Sequence, residues 1–169
     1  MTNQGNTLLL DSDVLISAHR DRYAPDYCPG FWDCLAYYLV SGRLLIIDPV
    51  RTEIVQPPAL VQWVSQLPQH AFAQIDAQVA RAYSRMSNWV QTNTQFNAAA
   101  ANRFAGAADG WLAAYGLEHN AIVITNELSA PASQSSVKLP DLCRQFQVDC
   151  GNTQFLLREL GVRLDWRRP

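Results

Sequence analysis

The sequence has few of the features that mark membrane, secreted or strongly basic nucleic-acid-binding proteins. Its only lysine is Lys138, and its net charge at pH 7 is −2, so the chain as a whole does not attract nucleic acid electrostatically. No apolar run is long enough to cross a membrane, and the first residues, MTNQGNT, lack the basic and apolar segments of a signal peptide. We therefore expect a cytoplasmic protein without membrane contact.

Several common catalytic and cofactor motifs are absent as well. Neither GxGxxG nor GxxxxGK[ST] occurs, which argues against a dinucleotide or P-loop site. His19, His70 and His119 lie far apart and match no metal-ligand spacing, and there is no GxSxG element for a serine nucleophile. The four cysteines show no Cys-x-x-Cys spacing and no nearby histidine, so they are expected to be reduced, mostly buried thiols.

The composition is that of a folded globular protein, since 49% of the residues are hydrophobic and 17% are charged. With 169 residues, the chain is expected to form a single domain over residues 1–169 that can bury a full core. The sequence has no internal repeat and no domain boundary.

Three short apolar runs predict buried strands, at residues 8–10 (LLL), 44–47 (LLII) and 121–125 (AIVIT). Helical patterns lie between them, so the chain contains βαβ units, for which parallel pairing and a right-handed crossover are the default. The sequence thus predicts an α/β fold with these strands as parallel neighbours. Ser12 or Asp13 is expected to cap the first helix, and residues 162–164 are expected to add an edge strand.

Acidic residues stand where these strands end or where the following helices begin. The four that share this placement are Asp11, Glu53, Asp109 and Glu127. Because the carboxyl ends of parallel strands meet at one edge of a sheet, we expect these side chains to converge there. Asp11 and Asp13 taken alone also have a purely structural interpretation as turn and cap residues, which is the commoner role of aspartate at such positions.

Carboxylates that converge on one edge repel one another and weaken the fold unless a cation lies among them. Their hard oxygen atoms favour Mg²⁺ or Mn²⁺, and Mg²⁺ commonly keeps several waters beside one or two protein carboxylates. Such a site is suited to phosphodiester hydrolysis, in which a metal ion activates water and stabilises the leaving oxygen. No nucleophilic side chain is then required.

Seven blocks of the sequence together resemble the PIN-domain nucleases, and within them a bacterial group catalogued as a domain of unknown function. The blocks are LLDSDVLISA at 9–18, YCPGFWDCL at 27–35, GRLLIIDPVRTEI at 42–54, ADGWLAAYG at 108–116, AIVITNE at 121–127, VKLPDLC at 137–143 and NTQFLLRELGVRL at 152–164. Short acidic motifs are common, so the order and spacing of the blocks carry this resemblance, which spans nearly the whole chain.

The resemblance implies a three-layer α/β/α fold with a mainly parallel sheet, an acidic site for Mg²⁺ or Mn²⁺, and cleavage of single-stranded RNA. Many members of the family are VapC-type toxins that a partner antitoxin silences. Asp11, Glu53 and Asp109 match the acidic positions of the family. The fourth acid is either Glu127, in TNE where many PIN domains have Thr-x-Asp, or Asp141, in the KLPD block of the subgroup. The number of metal ions, one or two, stays open.

Further residues are candidates for supporting roles. Asp13, at a position often occupied by asparagine in the family, is expected to orient Asp11 or its metal. Thr125 is a candidate to hydrogen-bond a ligating carboxylate or a phosphate. Arg20, Arg22 and Arg51 are candidate phosphate contacts, against the ordinary alternative of solvated surface charges.

Asp141 and Asp13 each have a competing interpretation as helix caps. The main alternative for the whole protein is a catalytically silent PIN-like module that binds RNA or a protein partner without cutting. A receiver-like phosphoacceptor domain is disfavoured. It needs a lysine beyond a later strand, and Lys138 is the only lysine in the sequence. An antitoxin protein and a homodimer are the expected protein partners, the aromatic content being consistent with protein contacts.

Overall fold

The computed structural model describes residues 6–165 of the chain. The strands are β1 (Leu8–Leu10), β2 (Leu44–Ile47), β3 (Phe72–Ala73), β4 (Ile122–Ile124) and β5 (Cys150–Gly151). The helices are α1 (Ser12–Ser17), α2 (Pro29–Val40), α3 (Asp48–Glu53), α4 (Pro58–Ser65), α5 (Ala77–Thr92), α6 (Ala98–Gly106), α7 (Asp109–His119), α8 (Leu139–Gln145) and α9 (Thr153–Glu159). The expectation about a signal peptide falls mainly on residues 1–5, which lie outside the described residues.

The strands form one parallel sheet in the order β3-β2-β1-β4-β5. Leu8 of β1 is paired in parallel register with Leu44 of β2 on one side and Ile122 of β4 on the other. The three strands predicted from apolar runs are therefore parallel neighbours, as expected. Helices flank the sheet, which confirms the predicted three-layer α/β/α architecture.

Several helix boundaries follow from local chemistry that the sequence displays. The carboxylate of Asp76 accepts hydrogen bonds from the backbone N–H groups of Gln78 and Val79 and so caps α5. Pro29 occupies the first turn of α2, where its missing N–H group costs nothing. Gly42 follows that helix with a φ of +77°, a left-handed conformation that favours glycine.

Three sequence-based expectations about the fold are wrong. Residues 162–164 form no strand; the edge strand is β5, which bonds to β4 instead. The N-cap position of α1 is occupied by Asp11 rather than by Ser12 or Asp13. Cys143 is buried, but the other cysteines are half-buried or exposed, so the thiols are not mostly buried.

The centre of the core is β1, whose three leucines are fully buried between the flanking helix layers. Its neighbours β2 and β4 are also almost wholly buried, which explains why these strands are continuous apolar runs rather than alternating ones. Within residues 6–165, no helix is both long and apolar enough to span a membrane.

Candidate functional site

The end of β1 places Asp11 in a buried position beside the end of β4. The backbone N–H of Asp11 donates to the carbonyl of Ile124 at 2.9 Å, which continues the sheet pairing by one residue. The Thr125 hydroxyl donates to Oδ2 of Asp11 at 2.7 Å. Asp11 is 6% exposed and Thr125 3%, so both polar side chains are buried at the carboxyl edge of the sheet. The sequence-based role of Thr125 as a partner of this carboxylate is thus consistent with its hydrogen bond.

Asp13 lies in the first turn of α1 and links this helix to the segment after β4. Both of its carboxylate oxygens accept the backbone N–H of Asn126, at 3.2 and 3.1 Å. The Asn126 side chain in turn accepts hydrogen bonds from the backbone N–H and the hydroxyl of Thr153, at 3.1 and 3.0 Å. Asp13 therefore fixes the exit of β4 rather than capping its own helix.

Glu53 is the last residue of α3 and connects two other helices. Its Oε2 accepts the Ser12 hydroxyl at 2.9 Å, and its Oε1 accepts the backbone N–H of Ala108 at 2.8 Å. Ala108 directly precedes Asp109, the first residue of α7. Glu53 thus holds the start of α1 and the start of α7 together at the sheet edge.

The position of Asp109 depends on close packing around the next residue, Gly110. A Cβ atom on Gly110 would lie 2.7 Å from the ring of Phe104 and 2.8 Å from that of Tyr83. Trp111 stacks on Tyr83 with 3.8 Å between ring centroids. Glycine is therefore needed for the first turn of α7 to pack this closely against α5 and α6, which brings Asp109 to the edge of the sheet.

Asp11 and Asp109 have strongly raised pKa values. Burial, together with the charges of Asp13 and Asp109, raises the pKa of Asp11 to about 8 against the lowering effect of the Thr125 hydrogen bond. Burial and repulsion from Glu127, Glu53 and Asp13 together raise the pKa of Asp109 to about 7. The sheet edge therefore carries more carboxylate charge than its own surroundings stabilise.

The pKa of Asp13 is also raised, chiefly by burial, and the Asn126 N–H opposes that shift. We call the five mutually interacting acids the acidic cluster. Its members are Asp11, Asp13, Glu53, Asp109 and Glu127. The structure thus brings together the four acids that sequence analysis placed at strand exits and helix starts.

Glu127 is held by Lys138, which sequence analysis did not identify as a functional residue. Lys138 Nζ donates to Oε1 of Glu127 at 2.8 Å, and the backbone N–H of Leu139 donates to Oε2 at 2.7 Å. The Lys138 ammonium also lowers the pKa of Asp109. It supplies positive charge to an otherwise acidic site, and the only sequence signal was that the chain has no other lysine.

Asp141, the other candidate for the fourth acid, holds the loop that follows Glu127. Its Oδ2 accepts the backbone N–H of Ala130 at 2.7 Å, and its Oδ1 accepts the Ser129 hydroxyl. Arg144 pairs with the same carboxylate at 3.3 Å. Glu127, rather than Asp141, is the acid placed beside Asp109.

The three candidate arginines lie in different surroundings. Arg20 and Arg22 are exposed on a single π-helical turn after α1, where Arg20 pairs with Asp21 at 2.9 Å. The guanidinium of Arg51 lies 4.2 Å from the centroid of the Phe72 ring, in a cation–π contact with β3. Arg103, which sequence analysis missed, lines a hollow of about 170 Å³ together with Asp109 and Glu127.

The donor set of the acidic cluster fits a hard divalent cation. Among residues 6–165, no three His, Cys, Asp or Glu side chains are arranged to hold a metal ion together. Mg²⁺, however, commonly uses only one or two protein carboxylates and completes its coordination with water. Asp11, which is buried, and Asp109, which is half-buried, both have raised pKa values and are the two carboxyl groups that such a cation would relieve of repulsion.

Comparison with known proteins identifies the family of this chain but assigns no function to it. No curated protein matches this sequence. Residues 8–164 match a family described as a domain of unknown function, DUF4411. That match includes every member of the acidic cluster and all five strands of the sheet. The chain therefore belongs to the DUF4411 family.

Proposed function

We propose that the protein is a metal-dependent endoribonuclease that hydrolyses phosphodiesters of single-stranded or structured RNA, with a PIN-like site. The observation that carries the proposal is the pair of carboxyl groups of buried Asp11 and half-buried Asp109, whose pKa values are raised to about 8 and about 7. Burying interacting acids at a strand exit costs stability, and such perturbed groups are concentrated at functional sites. A divalent cation bound between these carboxylates would offset that loss of stability.

Asp11 and Asp109 would hold Mg²⁺ or Mn²⁺, with Glu53 and Glu127 as supporting acids. When bound, the cation supplies Lewis-acid chemistry, lowering the pKa of a water molecule and stabilising charge on the leaving oxygen. Oδ2 of Asp11 accepts the Thr125 hydroxyl at 2.7 Å, whereas Oδ1 has a longer contact, at 3.4 Å, with the Ser12 hydroxyl. Asp11 would therefore hold the cation through an oxygen that is less engaged by the protein.

The surrounding residues orient the acids and neutralise phosphate charge. Glu53 sets the position of Asp109 through the backbone N–H of Ala108. Lys138 holds Glu127 at the edge of the site. Arg103 contributes a cation to the hollow beside Asp109, and Arg20 and Arg22 remain candidates for phosphate contacts farther along the RNA.

We further propose that this ribonuclease is the toxin of a toxin–antitoxin pair and acts in the cytoplasm. The resemblance to VapC-type proteins supports a partner antitoxin that covers the acidic cluster. Exposed aromatic side chains support protein contacts, including a homodimer, because tyrosine is enriched at interfaces. Tyr27 and Tyr37 are 61% and 68% exposed.

A catalytically silent PIN-like module that binds RNA or protein is the second candidate. One observation favours it: both carboxylate oxygens of Glu53 and of Glu127 already accept hydrogen bonds from protein groups. Those two acids are therefore satisfied without a cation. Calorimetric titration with Mn²⁺ separates the two candidates. The nuclease requires Mn²⁺ binding that Asp109→Asn weakens, whereas the silent module requires no Mn²⁺ binding.

The activity itself is tested with end-labelled single-stranded RNA, incubated with the wild-type protein and Asp109→Asn in Mn²⁺ or in EDTA. Cleavage is expected only for the wild type in Mn²⁺. Cleavage that persists in EDTA, or equally in the variant, would mean that the acidic cluster is not the active site. A wild-type protein that binds Mn²⁺ but cleaves no RNA would favour the silent module.

A further inference from the structure

A cavity of about 330 Å³ lies next to the acidic cluster and has no role in the mechanism above. We call it the aromatic cavity. Its lining includes Trp89, Phe96, Lys138, Asp141, Arg144 and Gln147. The volume is at the small end of the range of ligand-binding sites, and the lining combines flat apolar surface with a few charged and amide groups. That combination is typical of a site for a small, planar, polar ligand.

Its aromatic wall is held rigidly. The Trp89 and Phe96 rings make a T-shaped contact with 5.9 Å between centroids, and Trp89 makes a second T-shaped contact, at 5.7 Å, with Phe146, the residue directly after α8. Neither ring is stacked parallel to Trp89, and the half-buried Trp89 side chain lines the cavity. A fixed aromatic face binds nucleobases by stacking, and does so with little dependence on base identity.

The charges of the aromatic cavity suit an anionic ligand. Lys138 and Arg144 outnumber Asp141 among its charged lining residues, in a chain whose overall charge is −2. The Arg144 side chain is 66% exposed and its contact with Asp141 is 3.3 Å long, so the guanidinium can turn toward a phosphate. Gln147 adds an amide that can pair with a base edge.

The aromatic cavity is continuous with the acidic cluster through shared residues. Arg144 also lines a hollow of about 450 Å³ together with Thr125 and Glu127. Lys138, which lines the aromatic cavity, is bonded to Glu127. A nucleotide seated on Trp89 would thus be connected to the acidic cluster by two cations, Lys138 and Arg144.

We propose that the aromatic cavity binds one nucleotide of the RNA, adjacent to the phosphodiester held at the acidic cluster. The base stacks on Trp89, and Arg144 contacts the phosphate that connects it to the scissile position. This inference rests on the proposed ribonuclease function for its substrate class. It adds a substrate-positioning subsite that makes binding depend on unpaired bases, because a base in a duplex cannot reach the Trp89 face.

The test measures binding separately from cleavage. Fluorescein-labelled 2′-O-methyl hexanucleotides of adenine, cytosine and uracil, which lack a free 2′-hydroxyl, are titrated in EDTA and followed by anisotropy. Trp89→Leu and Arg144→Gln are each expected to weaken binding about tenfold. The matched controls are Trp63→Leu and Arg85→Gln. Trp63 is also half-buried and edge-on to another ring, and Arg85 is also an exposed, ion-paired side chain.

The proposal would be overturned if both test variants bound the probes with wild-type affinity, or if test and control variants lost affinity equally. It would also be overturned if the wild-type protein bound none of the probes. Melting curves check each variant, and if Trp89→Leu is unfolded, Arg144→Gln alone decides. Binding that depends on both residues supports the cavity even if no RNA is cleaved, in which case only the nuclease proposal fails. Cleavage with wild-type affinity in both variants overturns only the cavity.

Discussion

Thr125 donates its hydroxyl to Oδ2 of Asp11 at 2.7 Å, a contact between buried residues that are 114 positions apart in the chain. This hydrogen bond lowers the pKa of Asp11 against the effect of burial. Thr125→Val keeps the side-chain shape and removes the donor, so the pKa of Asp11 should rise. We expect weaker Mn²⁺ binding at neutral pH, with recovery at higher pH, measured by calorimetry across a pH series. Thr92→Val, at an exposed helix end, is the control and should not change that profile.

The stability of the metal-free protein should fall as pH rises from about 4 to about 8. Asp11 has an ordinary pKa of 3.8 and a folded-state pKa of about 8, and the pKa of Asp109 is about 7. Between these limits the folded protein binds more protons than the unfolded chain, so raising the pH favours unfolding. Melting temperatures in EDTA should therefore decrease over this interval, and Mn²⁺ should reduce the decrease at pH 8. A melting temperature that rises steadily with pH in EDTA would contradict the raised pKa values of Asp11 and Asp109.

Asp11→Asn should separate a functional acid from a capping acid. The amide keeps the shape but removes a repelling charge, so metal-free stability at pH 8 should rise by on the order of 1 kcal/mol. RNA cleavage should fall by at least about a hundredfold, since a cation contributes several kcal/mol to the transition state.

Asp76→Ala is the matched control, because Asp76 is an ordinary helix cap. That variant should lose melting temperature and keep RNA cleavage. If Asp11→Asn instead left metal-free stability unchanged and retained cleavage, Asp11 would be a structural cap, because asparagine caps a helix about as well as aspartate.

Lys138→Gln should change metal and RNA binding in opposite directions. The ammonium lies 2.8 Å from Glu127 and its side chain is 29% exposed, so loss of the ion pair should cost no more than about 1 kcal/mol of stability. Removing a positive charge beside the acidic cluster should tighten Mn²⁺ binding severalfold. The same change should weaken binding of the hexanucleotide probes. Lys138→Arg is the control. If Lys138→Gln changed the affinities for Mn²⁺ and for the hexanucleotide probes in the same direction, that result would argue against this placement of Lys138.

Gly110→Ala should destabilise the start of α7. The added Cβ would lie 2.7 Å from Phe104 and 2.8 Å from Tyr83, so these packed rings must shift, at a cost of roughly 1–3 kcal/mol. Thermal unfolding should show the loss, and Mn²⁺ binding should weaken because Asp109 is the neighbouring residue. Gly106→Ala is the control: its Cβ would have no atom of residues 6–165 within 4 Å, and that variant should keep wild-type Mn²⁺ binding.

The sequence was sufficient to predict the central strands and several helix ends. Continuous apolar runs predict buried strands, and the helices between them favour parallel βαβ connections with a right-handed crossover. Asp76 and Gly42 act through neighbours a few residues away, so their roles are visible in the local sequence. Convergence of Asp11 and Asp109 could also be predicted, because strand polarity alone brings strand exits and helix starts to one edge.

Other features depended on contacts between distant segments. The two-residue strand β5 exists because Cys150 and Gly151 find a partner in β4, whereas residues 162–164 have a strand-like sequence and no such pairing. A very short strand has almost no sequence signal of its own, since its stability comes from the neighbouring strand.

The hydrogen-bond partners of the individual acids were likewise decided by the tertiary structure. Glu127 accepts hydrogen bonds from Lys138 and from the backbone N–H of Leu139, while Asp141 accepts hydrogen bonds from the loop at residues 129–130. Both acids are plausible ligands by residue type and spacing. The sequence by itself determined which carboxylates reach the edge of the sheet, because that depends on strand direction. Only the folded structure decided which of them is buried and which repel one another, because burial and repulsion arise between side chains that are far apart in the chain.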